Sequence, residues 1–444
     1  MLNFVVIKFL ALALNAARSL ILAAILGPAS YGVLGTLVLL QQALSFASLG
    51  MREGVTVSLA RATDAQAHGL EVYGSSLAWG AGVGLAVWVV MSVAQVFVDG
   101  MGQYFGWIGA IASLSIVNEI LININRDRDR LKQIGLMELL YNLVPLGVAL
   151  WLWREISISA MLVALAVGLL MSVVFFFATL PRIQRRHVQW QVMRRLLGIG
   201  IPLAGVSALT LLVNSMYIIL ANRMKLGDTI GLVVFANTAC IIVLFALNTV
   251  SWAATSRSMR QLYAERPTDA EHLRAERLRT AFRLGLTVAA LACLSLAAVF
   301  TVVLKDYAGA EVFAFYFCLL QAHGLLLFDE INQLIVTGRS SWVAAGYGAL
   351  LALVFGAHVA MPDAPMITLV LVGIVGYFVL ALAALACCER LRVPRRPDHQ
   401  RLAFLFFPVS CALLYASSGI AGAVLCCVAF AVMALRFHAA PRRA

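Results

Sequence analysis

Fourteen apolar stretches of roughly membrane-crossing length follow one another along the chain. They fall near 3–25, 33–59, 74–98, 104–125, 133–153, 157–180, 198–221, 230–255, 284–304, 311–336, 342–360, 366–388, 402–417 and 419–435. Most could hold a helix of about 20 residues, enough at about 1.5 Å per residue to cross a hydrocarbon core of about 30 Å. With 62% hydrophobic residues, 12% charged residues and a mean hydropathy of +0.93, an ordinary soluble domain is excluded. The expectation is an all-α polytopic membrane protein. The last 34 apolar residues, 402–435, are tight for two crossings, and the segment Ala416-Ser417-Ser418-Gly419 is their only turn signal.

Loop charge orients the spans, because cationic connections stay in the cytoplasm. If the N-terminus lies inside, alternate connections divide the 33 Lys and Arg into 26 cytoplasmic and four outer residues, with Lys8, Arg18 and Arg52 inside helices. That asymmetry predicts two cytoplasmic termini. It also accounts for the net charge of +12 through topology and anionic lipid, so no nucleic acid is implied.

Polar residues interrupt the greasy stretches at helical spacing. In the first run Lys8, Asn15 and Arg18 share one face, and in the second Gln41, Ser45, Ser48 and Arg52 do the same. Arginine facing lipid at mid-helix costs about 2.5 kcal/mol or more, so such residues normally point into a bundle or a wet cavity. The serines serve equally well as helix-to-helix cement. For the arginines a hydrophilic chamber is the better reading, since packing rarely requires a buried cation. The stripe returns in the seventh run as Ser207, Thr210, Asn214 and Tyr217. Glu119 lies more than a turn inside the fourth run, and Asp329 and Glu330 lie about 10 Å inside the tenth. Such acids must be hydrated, paired or protonated, which makes all three candidates for ion coupling, with a structural ion pair to Arg52 or Arg339 an equal reading for Asp329 and Glu330. Glu138, nearer the cytoplasmic edge, reads as solvated.

Other features have plainer readings. Gly80 and Gly84 have the spacing that lets helices approach closely. The eight cysteines lie in apolar runs with neither a CxxC nor a histidine at ligand spacing, so they read as packing residues, with no metal and no cofactor expected. His323 reads as interior packing ahead of proton relay. Residues 182–197, basic with Trp190 among the charges, read as an interfacial helix. Around Lys225-Leu226-Gly227 and Ile230-Gly231 the chain echoes Leu26-Gly27 and Gly32, about two hundred residues earlier. An internal duplication would place such an echo there. The expected organisation is therefore a six-helix lobe at 1–181, a linker at 182–197, a second six-helix lobe at 198–388, and two further helices with a tail at 389–444.

The first hairpin, from Ala16-Ala17-Arg18 through LGPASYGVLGTLVLLQQALSFASLGMREGV to Ala60-Arg61, resembles the opening of polysaccharide flippases. These belong to the multidrug/oligosaccharidyl-lipid/polysaccharide exporter superfamily. The matching features are the LGPxxYG turn, Leu26 to Gly32, and a glycine beside an arginine low in the second helix, Gly50-Met51-Arg52. Residues 125–140 and 194–203 add support. The acidic residue that family members often carry in the seventh helix is absent around Asn214-Ser215-Met216. The resemblance implies two six-helix lobes around a central cavity plus two C-terminal helices, working by alternating access in a bacterial inner membrane. The cargo it implies is an undecaprenyl-pyrophosphate-linked oligosaccharide. Partners would be that lipid, the surrounding membrane lipids, and a polysaccharide polymerase with other envelope assembly proteins.

Guanidinium groups suit a pyrophosphate, offering forked donors and permanent charge, which singles out Arg18 and Arg52. Asn15, Gln41, Ser45, Ser48, Asn214 and Asn248 could meet the sugars. The main alternative is a MATE-like multidrug or cation antiporter, whose cavity should be acidic and aromatic. A polymerase or glycosyltransferase is disfavoured by the short outer connections and the lack of a nucleotide or metal motif. A nonenzymatic scaffold explains the polar stripes poorly.

Overall fold

The computed structural model describes residues 2–61, 65–128, 130–153, 156–181, 183–224, 227–263, 280–281, 283–296, 304–327, 330–331, 334–335, 337–390 and 400–439. Among these all regular structure is helical, with no strand. The helices are α1 (Leu2–Ser45), α2 (Met51–Arg61), α3 (Ala65–Phe97), α4 (Phe105–Asp127), α5 (Leu131–Trp151), α6 (Ile158–Thr179), α7 (Trp190–Arg223) and α8 (Asp228–Tyr263). They continue as α9 (Arg283–Leu296), α10 (Ala310–Leu326), α11 (Ser340–Ala360), α12 (Met366–Arg390) and α13 (Gln400–Ala439). Nine described helical stretches are long and apolar enough to cross a membrane. Apolar side chains such as Phe97 and Trp151, each at least 80% exposed, suit an environment of acyl chains.

Two of these helices, α1 and α13, contain a residue outside helical geometry and turn there. The apolar stretch Leu10–Ser48 has 39 residues, about 58 Å at 1.5 Å per residue. It bends at Gly27, whose φ of 69° and ψ of 170° leave the helical region, with Pro28 next. Helix α13 breaks the same way at Gly419. There Phe404 and Phe407 lie 5.5 and 5.2 Å from the Phe430 ring, whereas 26 residues of straight helix would separate Phe404 from Phe430 by about 39 Å. The last apolar stretch is thus a helical hairpin turning at the position its small and polar residues indicate.

The second apolar run departs from expectation. Its periodicity predicts one helix from Tyr31 to Leu59, carrying Gln41, Ser45, Ser48 and Arg52 on one face. Instead α1 ends at Ser45, a 3-10 turn spans Phe46–Ser48, and Leu49 and Gly50 both take positive φ before α2 starts at Met51. The cause is a tertiary contact. Gly50 lies against the start of α7, where a methyl on Gly200 would stand 1.9 Å from the Gly50 carbonyl oxygen, and one on Gly54 would stand 2.2 Å from that of Leu196. Backbone meets backbone over this stretch, and the Trp79 indole on α3 donates to the Ser48 carbonyl that the break exposes, at 3.0 Å.

The described residues form two compact units, one of Met1–Leu211 with Gly227–Val234, the other of Leu212–Leu226 with Phe235–Ala444. In the first, α3 packs along α4, α1 along α5, and α6 against both α4 and α5. Gly80 and Gly84 do permit the α3–α4 approach: a methyl on either would meet Ile120 or Ser113 at 2.6 or 2.8 Å. The echoed glycines also have a structural counterpart. Gly227 shares the left-handed φ of Gly27, and a methyl on Gly231 would stand 2.0 Å from the Pro28 carbonyl oxygen.

The stretch expected as a separate interfacial helix is divided. Residues 183–189 run outside α-helix except for the 3-10 turn Arg185–His187, and Trp190–Leu197 are the opening turns of α7 itself. The reason is docking onto α3: the Ser75 hydroxyl accepts from the Gln189 N–H at 2.9 Å, and the Gln189 amide donates to Glu71 at 2.8 Å. In the second unit the core is aromatic. Tyr217 stacks on Phe317 at 5.4 Å, and His323 is fully buried, stacked on Tyr377 at 5.5 Å.

The glycine contacts give a test of this packing. Gly200→Val should prevent accumulation of monodisperse protein, because neither backbone at the Gly50 contact can retreat, an overpacking cost of at least about 1–3 kcal/mol. Gly82→Ala on α3, where a methyl meets nothing within 4 Å, should leave the size-exclusion profile of the detergent-extracted protein unchanged.

Candidate functional site

Breaking the helix at Leu49–Gly50 places Arg52 and Glu53 in the first turn of α2. A carboxylate at a helix N-terminus is favoured by the helix dipole. Arg52 donates from Nε and Nη2 to Glu53 Oε1 at 3.0 and 2.5 Å, and from Nη1 to Glu119 Oε2 of α4 at 2.9 Å. The Phe46 ring lies 5.9 Å from the guanidinium carbon. One cation thus faces two acidic side chains, one on its own helix and one on α4. The cluster is not sealed: the side chains of Arg52 and Glu119 are 32% and 33% exposed.

The residues around it are tied from helix to helix. Arg126, two turns beyond Glu119 on α4, donates to the Thr56 hydroxyl of α2 at 3.1 Å. Gln41 of α1 donates to Ser115 of α4 at 2.9 Å, and Ser172 of α6 bonds Asn118 of α4 at 2.9 Å. Helix α4 is therefore the polar spine of the first unit, holding α1 through Ser115, α6 through Asn118, and α2 through Glu119 and Arg126.

On α1, Lys8 is buried and ion-paired with Glu138 of α5. The reading of Glu138 as merely solvated is corrected: it compensates a buried lysine. The signal was available, since Lys8 and Glu138 are opposite charges in apolar runs, and burial makes such charges seek each other. Arg18 differs. Its Nη2 donates to Asn15 Oδ1 one turn back at 2.6 Å, a neutral partner. Its buried Nη1 has no hydrogen-bond partner, and no carboxylate lies within ion-pair distance, among the described residues. Of the three cations in the first two apolar runs, Arg18 is the one whose charge is uncompensated there.

The structure thus joins Asn15 to Arg18, and Arg52 to Glu119 and to Glu53, which sequence reasoning passed over. Gln41 is engaged with Ser115, the Ser45 hydroxyl bonds the Gln42 carbonyl of its own helix at 2.7 Å, and Ser48 contributes its carbonyl to Trp79. Asn214 is exposed on α7 in the second unit. Glu330 is buried in that unit. Asp329 and the side chain of Asn248 lie outside the described residues. Among the described residues no group of three or more His, Cys, Asp or Glu could hold a metal ion.

These helices, with broken spans and charges paired between them, define a class of polytopic membrane protein. The fold is similar to that of a MOP superfamily transporter from Pyrococcus furiosus, described as having a binding pocket of reversed polarity. That match has a TM-score of 0.64 at 14% identity, over 88% of this chain and 96% of that one. It is similar to an inward-facing MATE family multidrug resistance transporter, TM-score 0.64 at 15% identity over 86% and 95% of the two chains. It is also similar to a Vibrio cholerae MATE transporter in its bent form, TM-score 0.60 at 12% identity over 92% and 97%. No curated protein matches the chain by sequence. The family model described as polysaccharide biosynthesis protein matches residues 21–304. The chain belongs to that family, on the MOP transporter fold.

Removing one partner of the Lys8–Glu138 pair should be worse than removing both. Lys8→Met alone should destabilise the protein by roughly 2–3 kcal/mol, below the range for a fully buried pair because Glu138 stays partly exposed. Combining it with Glu138→Leu should restore most of the loss, read as thermal unfolding of detergent-solubilised protein.

Proposed function

We propose that this protein is a flippase that carries an undecaprenyl-pyrophosphate-linked oligosaccharide across a bacterial inner membrane by alternating access, with no covalent step. The cargo would serve surface polysaccharide synthesis, whether O-antigen, capsule or exopolysaccharide. The family and the transporter fold support a transported precursor of polysaccharide. The observation that carries the anionic headgroup is Arg18, a guanidinium held by Asn15 and left without a counter-ion among the described residues. A diphosphate would supply that counter-ion, and the forked N–H donors match its oxygens. Arg52, already paired, would be a second contact. Gln41, Ser45, Ser48 and Asn15 are amide and hydroxyl groups of the kind sugars accept, with Asn214 and Asn248 as further contacts. Glu119, Asp329 and Glu330 remain the acids through which an ion gradient would act. A polysaccharide polymerase is the partner that would consume the delivered lipid.

One observation favours a second reading. The Arg52 cluster sets two acidic side chains against one cation, and multidrug MATE transporters share the fold. A cation antiporter would use that acidity directly.

Deleting the gene should cause a lipid-linked oligosaccharide to accumulate on the cytoplasmic leaflet. Greater sensitivity to cationic dyes with no such lipid would favour the antiporter instead. In complemented cells, Arg18→Ala should lower surface glycan at least tenfold at unchanged membrane abundance. Arg18→Lys, which keeps the charge but loses the fork, should fall between. Wild-type glycan in Arg18→Ala cells would remove the headgroup assignment.

A further inference from the structure

The Arg52 cluster is arranged as if a ligand were already present. Of the five N–H donors of a guanidinium, three are engaged, two on Glu53 and one on Glu119. The two carboxylates are not equivalent. Glu53 is the next residue on the same helix, in the first turn of α2, with its side chain 13% exposed. Chain connectivity and the helix dipole hold it in place. Glu119 reaches Arg52 from another helix, makes one bond to it, and is 33% exposed, so it can turn away without disturbing α2.

We propose that Glu119 is an internal substitute for the anionic headgroup and sets the least charge a ligand must bring to engage Arg52, a specificity-determining role. This rests on the flippase reading above. A monophosphate ester competes with Glu119 on nearly equal terms, offering one phosphoryl group in place of one carboxyl group. A diphosphate brings more charge and two phosphoryl groups, so it can take the Arg52 Nη1 donor and still reach a second cation. Glu119 therefore biases the site toward a diphosphate lipid and against its monophosphate counterpart, the form a polyprenyl carrier takes once its cargo has been removed. Without Glu119, Arg52 would present a free Nη1 to either.

The test uses the full-length protein in nanodiscs, with undecaprenyl diphosphate and undecaprenyl monophosphate as the titrated lipids and tryptophan fluorescence as the readout. The wild type should bind the diphosphate at least tenfold more tightly than the monophosphate. Glu119→Gln should tighten monophosphate binding about tenfold and change diphosphate binding less than threefold, collapsing the ratio. Should Glu119→Gln fail to fold, Glu119→Asp, one methylene too short to reach Arg52, should shift the ratio several-fold in the same direction. A ratio unchanged in the folded variant, with Arg18→Ala still weakening diphosphate binding, overturns the role of Glu119 and leaves the flippase reading standing. A wild type that binds neither lipid overturns both.

Discussion

The contact of α2 with the start of α7, backbone against backbone at Gly50, Gly54, Leu196 and Gly200, is what the rest of the first unit depends on. To reach it the chain leaves the helix for two residues, Leu49 and Gly50, both with positive φ. Leucine takes that conformation at a cost of about 1–3 kcal/mol, so it persists because its surroundings enforce it. The Trp79 indole satisfies the carbonyl left open at Ser48. A break within apolar surroundings is tolerable only if the freed backbone groups find partners in the protein.

Ending α1 early is what gives Arg52 its setting. Continued as one helix, the second apolar run would carry Arg52 in line with Gln41 and Ser45, mid-helix. Restarted at Met51, it puts Arg52 and Glu53 in a first turn, where a carboxylate is at home, and turns Arg52 toward Glu119 on α4. Charges that would each be costly in apolar surroundings become a cluster, and Lys8 with Glu138 repeats the logic between α1 and α5. Set against these compensated pairs, Arg18 stands out because, among the described residues, its hydrogen bond is to a neutral amide.

Glycine in the left-handed region does the turning elsewhere. Gly27 and Gly227 share it 200 residues apart, and the segments that follow them touch where Gly231 meets the Pro28 carbonyl. Gly419 turns the last apolar stretch back on itself so that Cys411 comes to lie 3.6 Å from Cys427. Six of the thiols read as packing residues, Cys240, Cys293, Cys318, Cys411, Cys426 and Cys427, are buried in the second unit, while Cys387 is half-buried.

The sequence by itself determined that the chain is all-helical and built for a membrane, because apolar length and charge depletion are local properties that any window reveals. It also marked the turns at Gly27 and Gly419, through Gly-Pro and a polar cluster, and picked out Arg18, Arg52 and Glu119, since a charge in an apolar run is conspicuous without neighbours. What it could not show is which charge answers which. Glu138 looked idle because its lysine is 130 positions away, and Glu53 was overshadowed by the arginine beside it. The break before Arg52 was invisible for the same reason: Ser45–Gly50 reads as continuous helix until α7 presses against it. Pairing and breaks of this kind were decided by tertiary structure alone, because they follow from contacts between segments far apart in the chain, which no local pattern encodes.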